Sequence, residues 1–145
     1  MRTAMILAAL GVFVAPACDE PAASLVEYRM SWVQADCAPW DGPALTVYLT
    51  DSPADSAKYE AAHLSVSVWR GVVGLEGGRI DLAKDGAASR CAASGDCTPA
   101  TAGWIRFDHV DPDVHVAGRF LIQFAGSTVQ GSFDAQWLRR TVLCG

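Results

Sequence analysis

Residues 128–137 read TVQGSFDAQW, and their side chains alternate in character: Val129, Gly131, Phe133, Ala135 and Trp137 interleave with Thr128, Gln130, Ser132, Asp134 and Gln136. An extended chain points successive side chains to opposite faces. A strict period of two therefore describes a strand with one buried and one wet face and does not fit the 3.6-residue period of a helix. The alternation recurs in Val26, Tyr28, Met30 and Trp32, in Leu45, Val47 and Leu49, and in Leu64, Val66 and Val68. It returns in Ile80 and Leu82, in Ile105 and Phe107, and in Phe120, Ile122 and Phe124.

Turn-forming clusters separate these segments: PWDGPA at 39–44, TDSPADS at 50–56, GLEGG at 74–78, DPD at 111–113 and AGS at 125–127. Gly, Pro, Asp and Ser each supply backbone geometry or local hydrogen bonds that regular strands do not use. The one helix candidate is PADSAKYEAA at 53–62. Many short strands without intervening helices predict an all-β fold, an antiparallel β-sandwich or barrel of about seven to eight strands. With 145 residues, 51% hydrophobic and 19% charged, the chain can bury one sizeable core, so residues 25–145 are expected to form a single domain.

The first residues differ in composition. Met1 and Arg2 precede an uninterrupted apolar run over 4–14, AMILAALGVFV. A bilayer span needs about 20 such residues, so the run reads as the apolar region of a signal peptide. Small residues follow, Ala15 and Ala17, and then Cys18. The APAC stretch resembles the lipobox of bacterial lipoproteins. The resemblance implies a signal peptide over 1–17, cleavage before Cys18, a diacylglycerol thioether and acyl chains such as palmitate on that cysteine, and a short tether over 18–24. Ala15 stands where such families usually carry Leu or another large aliphatic residue, and Pro16 is uncommon in them. Asp19 resembles an inner-membrane retention signal of enteric bacteria, a rule that does not carry reliably to other bacteria. The expected location is the bacterial cell envelope, with the outer membrane favoured over the inner and a secreted or periplasmic protein as the alternative.

Of five cysteines, four remain once Cys18 is reserved for lipid: Cys37, Cys91, Cys97 and Cys144. An even set suits two disulfides formed in an oxidising compartment, with three connectivities open. Proximity across the small, turn-forming AASGD favours Cys91 with Cys97, which leaves Cys37 for Cys144. A zinc site is disfavoured, because no CxxC occurs and His63, His109 and His115 lack zinc-finger spacing from the cysteines.

A second resemblance covers residues 97–137. Cys97, the stretches 102–107 and 118–124, and Gly131, Phe133, Ala135 and Trp137 are similar to the tails of small uncharacterised Cys-containing β-rich lipoproteins of high-GC proteobacteria. Those often close on a cysteine where this chain has Leu138, so Cys144 is expected to take that role. The resemblance implies a shared topology and no catalytic residue.

Polar chemistry is concentrated in DHVDPDVH at 108–115. As a divalent-cation site, Asp111 and Asp113 would offer oxygens to Ca²⁺, or His109 and His115 nitrogens to Zn²⁺ or Cu²⁺. As a hairpin loop, Pro112 fixes φ, Asp111 and Asp113 cap the turn, and the histidines fall on the flanking strands. The loop reading is favoured. The segment has no DxDxDG pattern, the chain has no GxSxG, and GVVGLEGG at 71–78 lacks the Lys and the strand-to-helix setting of a phosphate loop. Asp51 and Asp55 flank Pro53 and read as solvated loop acids. No catalytic residue and no cofactor are expected.

Trp32 and Trp137 fall with the inward residues of their strands, whereas Tyr48, Trp69 and Trp104 fall opposite them and Trp40 lies in a turn. Tyr48, Trp69, Trp104 and Trp40 are the candidate ligand face, for stacking on sugar rings or packing on a partner protein, unless their strands are buried on both sides. A formal charge of -5, with no basic cluster beyond Arg139 and Arg140, argues against nucleic acid. The favoured reading is a membrane-anchored envelope lipoprotein with a non-catalytic β-domain in a structural or binding role. The alternative is an envelope enzyme or divalent-metal-binding protein using residues 108–115.

Overall fold

A computed structural model of the protein describes residues 22–52, 61–139 and 142–144. The expected signal peptide, Cys18 and most of the helix expected over 53–62 lie outside the described residues. The chain runs β1 (Ser24–Leu25), β2 (Met30–Cys37), β3 (Pro43–Thr50), β4 (His63–Val68), β5 (Arg79–Asp81) and α1 (Leu82–Asp85). It continues through β6 (Gly86–Cys91), β7 (Cys97–Pro99), β8 (Ala102–Asp111), β9 (His115–Phe124) and β10 (Ser127–Trp137).

All ten strands among the described residues join one sheet in the order β5-β8-β9-β10-β2-β3-β4-β6-β7, with β1 paired to β10. The β-rich class stands, but the strand count exceeds the expected seven to eight, and the sheet is open: β5 and β7 are its edges. Two pairings are also parallel, β1 with β10 and β10 with β2. The parallel step at Gln136 and Trp137 against Trp32 and Val33 joins the two halves of the sheet.

Alternation decides which side chains are buried. Val129, Phe133 and Ala135 of β10 enter the core with Val116, Phe120 and Ile122 of β9 and Ile105 and Phe107 of β8. Leu45, Val47 and Leu49 of β3 and Leu64, Val66 and Val68 of β4 belong to the same cluster. Strands lie about 4.8 Å apart, so a flat sheet would hold β8 and β4 more than about 20 Å from each other. The sheet instead bends until both halves share one core. The single turn α1 lies where they approach, packed on both β6 and β8. Its Leu82 is buried, and Asp81 caps the turn by accepting a hydrogen bond from Ala83 N at 3.0 Å. Beyond it, Ala100 N donates to Ala88 O at 2.9 Å.

The phase expected for β2 is off by one residue. Val33 is its core residue. Trp32 is also buried, on the opposite face, where its ring stacks on Tyr48 with centroids 5.3 Å apart and planes 11° apart. Every residue of β3 after Pro43 is buried, so this strand is covered on both faces. The outer-face polar atoms there are satisfied locally: Thr46 Oγ1 donates to Asp36 Oδ2 at 2.8 Å and lies 2.8 Å from Ser67 Oγ.

Candidate functional site

Two disulfides brace the sheet, Cys37–Cys144 and Cys91–Cys97. The second spans neighbouring strands, since Cys91 of β6 and Cys97 of β7 are register partners. The first ties the segment after β10 to the end of β2.

The 108–115 segment is a hairpin. Asp111 O accepts from Val114 N at 3.1 Å, and Asp113 takes the left-handed conformation at φ 63°. His109 lies on β8 and His115 opens β9, on the same face, with ring centroids 5.6 Å apart. Each imidazole has its own carboxylate: Glu76 Oε1 is 3.5 Å from His109 Nδ1, and Asp134 Oδ1 is 2.5 Å from His115 Nε2. Among the described residues, no three His, Cys, Asp or Glu side chains gather as a metal site. His109, Asp111, Asp113 and His115 are therefore not brought together as a ligand set: Asp111 and Asp113 form the turn through their backbone, while the histidines pair with carboxylates of other elements.

The four aromatic candidates divide. Trp40 and Trp69 meet edge to face, with centroids 5.3 Å apart and planes at 80°, and Trp40 stays 61% exposed. The turn that presents Trp40 is closed by Ala38 N donating to Gly42 O at 2.8 Å. Its indole lies so close over Gly42 that a Cβ there would come within 2.6 Å of Nε1, so any larger residue would displace the ring. Trp69 is fixed by its amide donating to Asp85 O at 2.8 Å. Tyr48 is not part of an exposed face: it is buried against Trp32, and Gln34 Nε2 donates to its hydroxyl at 3.4 Å. Trp104 is half-buried on β8, with the Arg79 guanidinium 4.6 Å from its ring centroid.

One cluster was not anticipated. Arg79 of β5, Arg106 of β8 and Arg119 of β9 are successive register partners, so three arginines stand in a row across the outer face. Asp108 joins two of them, 3.0 Å from Arg106 Nε and accepting from Arg119 Nε and Nη2 at 2.9 and 3.1 Å. The hydrogen bonds from Arg119 hold the Asp108 carboxyl below its usual range, with the charges of Arg119 and Arg106 adding to the effect, and the same bonds raise Arg119. A register irregularity between Phe107 and His109 makes Asp108 the extra residue of a bulge. The signal was present as one arginine in the outward phase of each of RIDL, WIRFDH and GRFLIQF, but alternation within single strands does not say which residues will stand opposite one another.

No protein-family model, curated protein or solved structure matches this chain.

Proposed function

We propose that this chain is a lipid-anchored lipoprotein of a bacterial cell envelope, whose domain over 25–145 acts without catalysis as a structural or binding module. The observation that carries the reading is the cysteine pairing. Cys37, Cys144, Cys91 and Cys97 close on one another in two bridges, which sets Cys18, at the end of APAC, apart from both. Disulfides persist in oxidising compartments, which favours export. A single acyl chain holds a protein only marginally, at about 0.8 kcal/mol per buried CH₂, whereas several chains on one cysteine make the attachment stable and leave the domain free of any spanning segment. The fold is best read as a sandwich, with the bent sheet supplying both layers. Within it, the Trp40 and Trp69 pair is the surface we assign to a carbohydrate or protein ligand, since it combines exposure with a fixed edge-to-face geometry.

Intact-mass spectrometry of the protein purified from its native membrane tests the assignment. The expected product lacks residues 1–17, carries added acyl mass and has no free thiol. A full-length chain with reduced cysteines recovered from the cell interior would overturn it.

A further inference from the structure

We infer that the outer face of β5, β8 and β9 is an oxyanion site in which Arg79, Arg106 and Arg119 hold a phosphate group. The site stands apart from the Trp40 and Trp69 pair and does not depend on lipidation at Cys18.

Register partners on adjacent strands share a face, and like charges directly opposite each other are unfavourable there. Here three guanidinium groups occupy one such row, in a chain whose formal charge is -5. Their one carboxylate partner among the described residues is Asp108. Three positive charges less one negative leave a local excess of two, the charge that a phosphate monoester neutralises. Asp108 also shows how the row holds an oxyanion. It takes the two-pronged hydrogen bond from Arg119 and the contact from Arg106, a guanidinium geometry that suits phosphate as well as carboxylate.

Arg79 is the open member. It makes no ion pair among the described residues, and its guanidinium lies over Trp104, 4.6 Å from the ring centroid. A groove of about 430 Å³ runs beside it, lined by Arg79, Asp81, Gly103, Trp104 and Gln123, with room for the organic part of a phosphate ester. Asp81 also lines this groove, and its negative charge is offset by Lys84, whose Nζ lies 4.0 Å from the carboxylate that caps α1 at Ala83 N.

A phospholipid headgroup, a singly charged phosphodiester, and a soluble phosphate of higher charge both present phosphate oxygens to the row, and two probes separate them. The full-length protein is titrated with inorganic phosphate and with glycerophosphoglycerol, the soluble headgroup diester of phosphatidylglycerol, while the arginine side-chain N–H signals are followed by NMR. The expected result is saturable movement of the Arg79, Arg106 and Arg119 signals that weakens with added salt. Tighter binding of inorganic phosphate assigns a soluble ligand, and tighter binding of the diester assigns a headgroup. Arg79→Gln, which leaves the Asp108 pairs in place, should weaken binding about tenfold, as the loss of one charged hydrogen-bond donor does. Asp108→Asn, which removes the internal competitor, should bind phosphate more tightly. Binding unchanged in Arg79→Gln, binding no tighter in a folded Asp108→Asn, or arginine signals that move with neither probe would each overturn the proposal.

Discussion

Burial raises the Tyr28 phenol above its ordinary value of 10.0, and the nearby Asp51 carboxylate adds to the effect while Arg90 opposes it. A group whose folded-state pKa is raised favours the folded state fully below the unfolded pKa, and that contribution is lost as pH climbs through the folded value. Tyr28 should therefore erode stability only on the alkaline side, from pH 10.0 upward. Urea midpoints recorded across that range should fall less steeply in Tyr28→Phe than in the parent chain, with the two curves parallel near neutrality. Equal alkaline slopes would exclude Tyr28 as the source. The surroundings of single residues were also the hardest thing to read in the sequence. In the apolar alternation Trp32 falls with Met30 and Tyr28 and so reads as inward, yet it is buried on the outer face. A strand covered on both sides hides its phase, because both faces then carry large apolar groups.

The two disulfides constrain very different lengths of chain, 107 and 6 residues. Loop-closure entropy removed from the unfolded ensemble grows with the logarithm of that separation, giving about 5 kcal/mol for the longer loop and about 2 kcal/mol for the shorter. Cys37→Ser with Cys144→Ser should lower the thermal midpoint much more than Cys91→Ser with Cys97→Ser, as differential scanning calorimetry would record. The reverse order would place the larger effect in the strain or packing of the folded state. At this scale the sequence was informative where strands were long and one-sided: β8, β9 and β10 follow their alternation closely. The missed strands carry little signal of this kind. β6 reads GAASRC, small residues with little apolar contrast, and β1 and β7 are only two and three residues long.

How strands combine depends on register and closure, which a period of two does not encode. Each segment announced an inward face, but nothing in it stated that β10 would run parallel to β2, or that strands from both halves of one sheet would contribute to one core cluster. For the same reason the arginine row was invisible until strands were placed side by side. The shared core makes a distinct prediction. Leu64 of β4 and Phe107 of β8 lie in opposite halves of the sheet, are fully buried and belong to one cluster. Truncating Phe107 to Ala removes a ring that meets Phe133 edge to face at 5.7 Å and should cost about 3–5 kcal/mol. Because β3 and β4 close over that same cluster, their amides should lose hydrogen-exchange protection together with those of β8 and β9 in Phe107→Ala. Leu64→Ala should likewise expose the β8 and β9 amides, and in each variant a single denaturation transition should shift without splitting. If Phe107→Ala opened β8 and β9 while β3 and β4 kept full protection, the halves would be separate folding units and the parallel seam between β10 and β2 only a hinge. Joint loss would mean that packing between the halves, more than the hydrogen bonds of that short seam, makes the sheet a single body.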